Sequence, residues 1–132
     1  MIGNNVWQSK NYDGQFFKNG DPITQLISDD QEVDFNQPLW CYYNYDSANG
    51  TKYGILYNWY AINDSRGIAP DGWRVPNFSE LKTIQDEALN IGYKLKEEGN
   101  TYWNTANGTN QFGFSARGGG QKINAAGSFR EL

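Results

Sequence analysis

One stretch constrains this chain more than any other: residues 53–91. From Tyr53 to Ile62 the run Tyr-Gly-Ile-Leu-Tyr-Asn-Trp-Tyr-Ala-Ile carries no charge. It is too short to span a membrane, so its aromatic and aliphatic side chains must find a core. The polar loop Asn63-Asp64-Ser65-Arg66-Gly67 follows, then the turn Pro70-Asp71-Gly72. Trp73 and Val75 alternate with Arg74 in the period of a half-buried extended segment, and Pro76 ends it. Asn77 then reads as the cap of a helix, with Glu80 three residues on completing a capping box. Leu81, Ile84, Ala88 and Leu89 recur at helical spacing, while Lys82, Gln85, Asp86 and Glu87 face away. Gly92 is placed as a left-handed terminator, so the helix is expected over about 77–91. Trp73 and Leu81 are expected in the core.

The rest of the chain sets what that core is made of. The 132 residues suit a single domain, 1–132. Five Trp, nine Tyr and seven Phe stand beside few Leu, Ile and Val, so the interior must be largely aromatic. Fifteen glycines and many asparagines point to much turn and loop. The 11 basic residues against 15 acidic ones give a net charge of −4, with no basic tract, which argues against nucleic acid as a partner. Without histidine, imidazole catalysis and His-ligated metals are excluded. Cys41 stands alone, which excludes an intrachain disulfide and a cysteine-only zinc cluster. Set among large aromatics, it is expected to be a buried, inert thiol. No apolar segment reads as a signal peptide or a membrane span.

In chain order, residues 2–7 read as a first strand opening on a turn, with Val6 and Trp7 packing. Asn19-Gly20 before Asp21-Pro22 is a turn signal. Residues 28–32 read as the start of a short helix. The acids Asp29, Asp30, Glu32 and Asp34 lack the ligand spacing of an EF-hand, which favours a solvated, capped turn over a calcium loop. Leu39 to Tyr45 has β propensity, and residues 46–51 read as a polar loop holding Asn49-Gly50. After the main helix, residues 93–99 suit another helical turn. Residues 100–113 suit an irregular loop carrying Trp103 and Phe112, and residues 112–116 a strand broken by Arg117-Gly118-Gly119-Gly120. The tail from Ala125 holds Phe129 and nothing expected to close a fold. Asn-x-Ser/Thr triplets at Asn49, Asn63, Asn77 and Asn107 are expected by chance in so asparagine-rich a chain.

Taken together, several motifs in fixed order carry a resemblance. They are Ile2-Gly3-x-x-Val6-Trp7, Asn19-Gly20-Asp21-Pro22-Ile23, Trp40-Cys41-Tyr42-Tyr43-Asn44, Tyr53-Gly54-x-Leu56-Tyr57-Asn58-Trp59-Tyr60-Ala61 and Pro70-x-Gly72-Trp73-x-Val75-Pro76. Lys94-Leu95-Lys96-Glu97, Trp103-Asn104 and Gly113-Phe114-Ser115-Ala116 complete the set. The chain resembles the Fibrobacter succinogenes major paralogous domain along essentially its whole length. The resemblance implies an α+β, C-type-lectin-like fold, with small antiparallel sheets, one main helix and long irregular loops, akin to formylglycine-generating domains. It departs from the family at Arg74, where histidine is usual, and at residues 117–120. The family pattern continues past Leu132 with a closing strand, so the domain is expected to be incomplete at its C-terminus.

The function the resemblance implies is a non-catalytic, surface-displayed binding or adhesion module. Its setting is a virion (tail fibre, head fibre or decoration), or else an extracellular or cell-surface position. Host-surface glycan or protein is the expected ligand. A structural assembly component is the alternative, with another polypeptide segment covering an open edge at the first strand. The contact residues expected from aromatic, amide and cationic loop positions are Tyr43, Tyr45, Tyr102, Trp103, Asn104 and Arg117; each has loop packing as its alternative. An enzyme is not expected, because the related chemistry uses a cysteine pair and this chain has Cys41 only. No metal, cofactor or membrane insertion is expected.

Overall fold

The structure, a computed structural model, describes residues 1–123 and 128–130. The contacts of the chain divide it into two compact units, one of Met1–Asn11 with Pro76–Gly118 and one of Tyr12–Val75 with Gly119–Leu132.

The second unit is built on a three-stranded sheet of β1 (Thr24–Gln25), β2 (Leu39–Cys41) and β3 (Leu56–Tyr57), in that spatial order. β1 runs parallel to β2, and β2 antiparallel to β3, so the sheet is mixed, which corrects the expectation of antiparallel sheets. A parallel pair needs a connection long enough to return to the same end, and residues 26–38 supply it. That connection holds a turn at Asp29-Asp30 in place of the expected helix start. The Gln31 side chain stitches it, accepting from the Ile27 amide at 2.7 Å and donating to the Gln25 carbonyl at 3.0 Å.

After β2 the chain makes a 3-10 turn, Tyr43–Tyr45, and then enters α1 (Ser47–Tyr53) where a polar loop was expected. Asp46 explains the helix: its carboxylate accepts from the Ala48 amide at 2.9 Å, capping the exposed first turn. Once capped, seven residues that include Asn49-Gly50 are held helical despite the turn signal. The uncharged run then divides between β3 and α2 (Trp59–Ile62), which Asn58 caps. A core cluster of Phe17, Ile23, Trp40, Ile55, Ala61 and Ile68 forms beneath, with Tyr12, Tyr42, Tyr57 and Ile62 packed against it. The Trp40 indole donates to the Ile23 carbonyl at 2.9 Å, so the largest core ring carries no unpaired polar atom. The expected Asn19-Gly20 turn is present: the Phe17 amide donates to Asp21 across it at 2.9 Å. Trp73, expected in the core, remains 39 % exposed. Near the end of the chain β4 (Gln121–Lys122) pairs with β5 (Phe129–Arg130), so the tail contributes a two-residue strand through Phe129. What was read into residues 124–127 and 131–132 lies outside the described residues.

The first unit is arranged around α3 (Phe78–Glu87). Its capping box is formed as expected: the Asn77 carboxamide accepts from the Glu80 amide at 3.0 Å, and Glu80 accepts from the Asn77 amide at 2.9 Å. The helix is shorter than expected. Leu89 and Asn90, with φ of 55° and 58°, adopt the left-handed conformation that ends it, and Gly92 instead opens a 3-10 turn, Gly92–Lys94. Of the expected apolar stripe Ile84 and Ala88 are buried, whereas Leu81 (49 %) and Leu89 (68 %) are exposed. Residues 2–7 do not form a strand: Ile2 and Asn5 exchange both backbone hydrogen bonds across a tight turn. The open strand edge expected at Val6 is therefore not there; Val6 is exposed, and Trp7 meets Phe114 edge-on at 6.1 Å. Residues 112–116 likewise reduce to one parallel bridge, Lys96 with Ala116.

Candidate functional site

A cleft of about 370 Å³ opens on the sheet of the second unit. One wall is the sheet itself, through Leu39, Trp40, Cys41, Leu56 and Tyr57; Leu26 and Phe35 come from the 26–38 connection. The other wall is β4 and its continuation, Gln121, Lys122 and Ile123, with Ile123 47 % exposed. The walls are mostly apolar, and the polar side chains of Asn58, Tyr57 and Lys122 among them are hydrogen-bonded within the protein. The Asn58 carbonyl oxygen accepts from the Leu39 and Ala61 amides, both at 3.0 Å, and its amino group donates to the Gln37 carbonyl at 2.7 Å. An asparagine so used offers little to a ligand. The Tyr57 hydroxyl donates to the Gly14 carbonyl, and burial pushes its ionisation well above the ordinary phenol range.

Cys41 lies in this wall, buried. Burial pushes its thiol up to about 11, opposed by Lys122 and assisted by Asp29, so it stays protonated at neutral pH. The burial is that which the sequence suggests.

Lys122 connects the cleft to Tyr45. Its ammonium lies 2.7 Å from Asp29, 5.1 Å from the Phe129 ring and 5.5 Å from the Tyr45 ring. The Tyr45 hydroxyl donates to the same Asp29 oxygen at 2.6 Å. The hydrogen bond from Lys122, then that from Tyr45, holds the Asp29 carboxyl below its usual range. Burial lowers the Lys122 ammonium, but Asp29 and Tyr45 together outweigh it and leave its pKa raised. Burial and then Asp29 raise the Tyr45 phenol. Lys122 and Asp29 thus form a fixed ion pair that the neutral Tyr45 phenol joins by a hydrogen bond, and neither Lys122 nor Tyr45 is an activated base. Tyr43, buried, packs on Phe129 at 5.1 Å and cannot present its ring outward. Gly120 makes room for it: with φ of +67°, a Cβ there would fall 2.3 Å from the Tyr43 ring.

The other four expected contact residues belong to the first unit. The Arg117 guanidinium lies 3.9 Å over the Tyr102 ring and pairs with Glu97, whose hydrogen bond raises it further. The Trp103 indole donates to the Ala116 carbonyl at 2.9 Å, and Lys96 sits 4.3 Å over its ring. Asn104 is exposed. Tyr102, Trp103 and Arg117 are thus brought together, but each aromatic ring already carries a cation on one face. The cleft residues Phe35, Asn58, Gln121, Lys122 and Ile123 were missed. Asn58 carried a signal, as a polar residue opening a helix inside an apolar run; Lys122 carried none.

Among the described residues no three or more of His, Cys, Asp and Glu are grouped to hold a metal, and no helix is long and apolar enough to cross a membrane. Neither curated proteins nor solved structures match the chain. The model of the Fibrobacter succinogenes major domain matches it over residues 1–131, so the chain belongs to that family.

Proposed function

We propose that the chain is a non-catalytic binding module displayed on a virion or cell surface, and that its cleft takes an apolar side chain of a protein partner. One observation carries the reading: a cleft of about 370 Å³ with mostly aromatic and aliphatic walls, in which Asn58, Tyr57 and Lys122 are already hydrogen-bonded within the protein. Such a cavity rewards burial of apolar surface. A sugar would bring many hydroxyls and find few donors or acceptors there to meet them, so protein is favoured over glycan. The fold is taken as C-type-lectin-like, supported by its few short strands, single longer helix and long irregular connections. The test is selection of displayed random peptides on the full chain, with a glycan array in parallel. Peptides sharing an apolar residue, and losing affinity for Ile123→Asp, support the reading. Glycan binding that survives Ile123→Asp, with no peptide selected, overturns it.

A further inference from the structure

Three Asn-Gly pairs occur, at Asn19, Asn49 and Asn107. An asparagine followed by glycine can cyclise, because the next residue has no side chain to hinder attack of its nitrogen on the carboxamide carbon. Whether it does so in a folded protein depends on how each atom is held.

At Asn19 both ends are held. The Gly20 amide donates to the Phe17 carbonyl at 2.9 Å and the Asn19 amino group donates to the Asp21 carboxylate at 2.9 Å; its oxygen also accepts from the Asp21 amide at 3.0 Å, so it is the held nucleophile and amino group that protect this site. Asn49 lies within α1, its amino group donating to the Tyr43 carbonyl at 3.0 Å, and helical backbone keeps the following nitrogen away from the side chain. Asn107 differs from both. It is exposed, and neither its amino group nor the Gly108 amide donates to any described residue. Its carbonyl oxygen does have donors: Lys96 Nζ at 3.5 Å and Thr105 Oγ1 at 3.3 Å. Donors on that oxygen stabilise the negative charge that develops there during attack. The nucleophile and leaving group are therefore loose, while the electrophile is polarised.

We infer that Asn107-Gly108 is a site of spontaneous deamidation, to which Asn19-Gly20 and Asn49-Gly50 are resistant. The Gly108 nitrogen bonds to Cγ of Asn107 and gives up its proton, and the side-chain nitrogen leaves as ammonia, closing a succinimide. Water then adds to one of the two imide carbonyls, and ring opening yields aspartate or isoaspartate. The new carboxylate faces the Lys96 ammonium that sits 4.3 Å over Trp103, so the modification reaches the loop carrying Trp103 and Asn104. Isoaspartate also adds a backbone atom beside Gly108, where a Cβ would already lie 2.3 Å from the Glu97 carbonyl oxygen.

The experiment is peptide mapping by mass spectrometry, with enzymatic isoaspartate detection, after incubation of the native full chain and of the denatured chain at mildly alkaline pH. The native chain is expected to convert at Asn107 while Asn19 and Asn49 stay amides, and the denatured chain to convert at all three. Lys96→Met, and separately Thr105→Val, should slow native conversion about fivefold by removing one hydrogen bond to the carbonyl. Native conversion at Asn107 no faster than at Asn19 or Asn49 overturns the inference. So does an unchanged rate in both variants.

Discussion

The two units of the chain hold themselves together differently. In the sheet unit, Trp40, Phe17, Ile23, Ile55, Ala61 and Ile68 share a core, and buried side chains extend from it to Leu39, Cys41 and Tyr43. In the helical unit the buried apolar residues are Ile2, Ile84 and Ala88. Its other fixings are polar: the Asn77–Glu80 box, Trp103 on the Ala116 carbonyl, Lys96 and Arg117 each on an aromatic ring. Burial scales with apolar area removed from water, whereas a hydrogen bond contributes only its net gain over water. Stability should therefore concentrate in the sheet unit, and so does the cleft.

The strongest challenge to that contrast is Trp40→Ala. It empties the centre of the core and orphans the Ile23 carbonyl, and should cost about 3–5 kcal/mol by chemical denaturation. A cost near zero would remove the contrast. Trp73→Ala and Leu81→Ala, which the sequence alone places in the core, should each cost about 1–2 kcal/mol, because the two side chains are 39 % and 49 % exposed. Arg117→Met keeps the aliphatic stem but loses the Glu97 pair and the charge over Tyr102; about 1 kcal/mol is expected from thermal melts.

These differences follow from what a local pattern can encode. The capping box was legible because Asn77 and Glu80 act within one turn. The Asn19-Gly20 turn and the buried Cys41 were legible for similar reasons of local chemistry and composition. The length of α3 was not, because Leu89 and Asn90 adopt a left-handed conformation that their residue types do not demand. Nor was α1: the Asp46 cap outweighed an Asn-Gly signal that favours a turn. The cleft was illegible for a different reason. It is assembled from β2, β3, the 26–38 connection and β4, and Lys122 meets Asp29 across 93 positions of sequence. Of the expected contact residues, Tyr43 turned inward because Phe129 and Gly120 make a niche for it.

The smallest expected effect concerns Cys41. The native thiol holds its proton up to about 11, above the range in which the unfolded thiol ionises. Between those values the native state binds the extra proton, so stability falls as pH rises through this window and is unaffected below it. A thiol reagent at neutral pH should label Cys41 slowly in the native chain and rapidly once denatured. Rapid native labelling would mean that the sheet unit opens more readily than its packing implies.

Native-state hydrogen exchange tests the contrast most directly, since it reads each unit amide by amide. Leu26, hydrogen-bonded to Trp40, and Asn58, hydrogen-bonded to Leu39, report the sheet unit; Thr109, bonded to Tyr93, and Ala116, bonded to Leu95, report the helical unit. The account predicts that Leu26 and Asn58 exchange only through global unfolding, while Thr109 and Ala116 exchange faster, through local opening. Equal protection of all four, or slower exchange at Thr109 and Ala116, would contradict it.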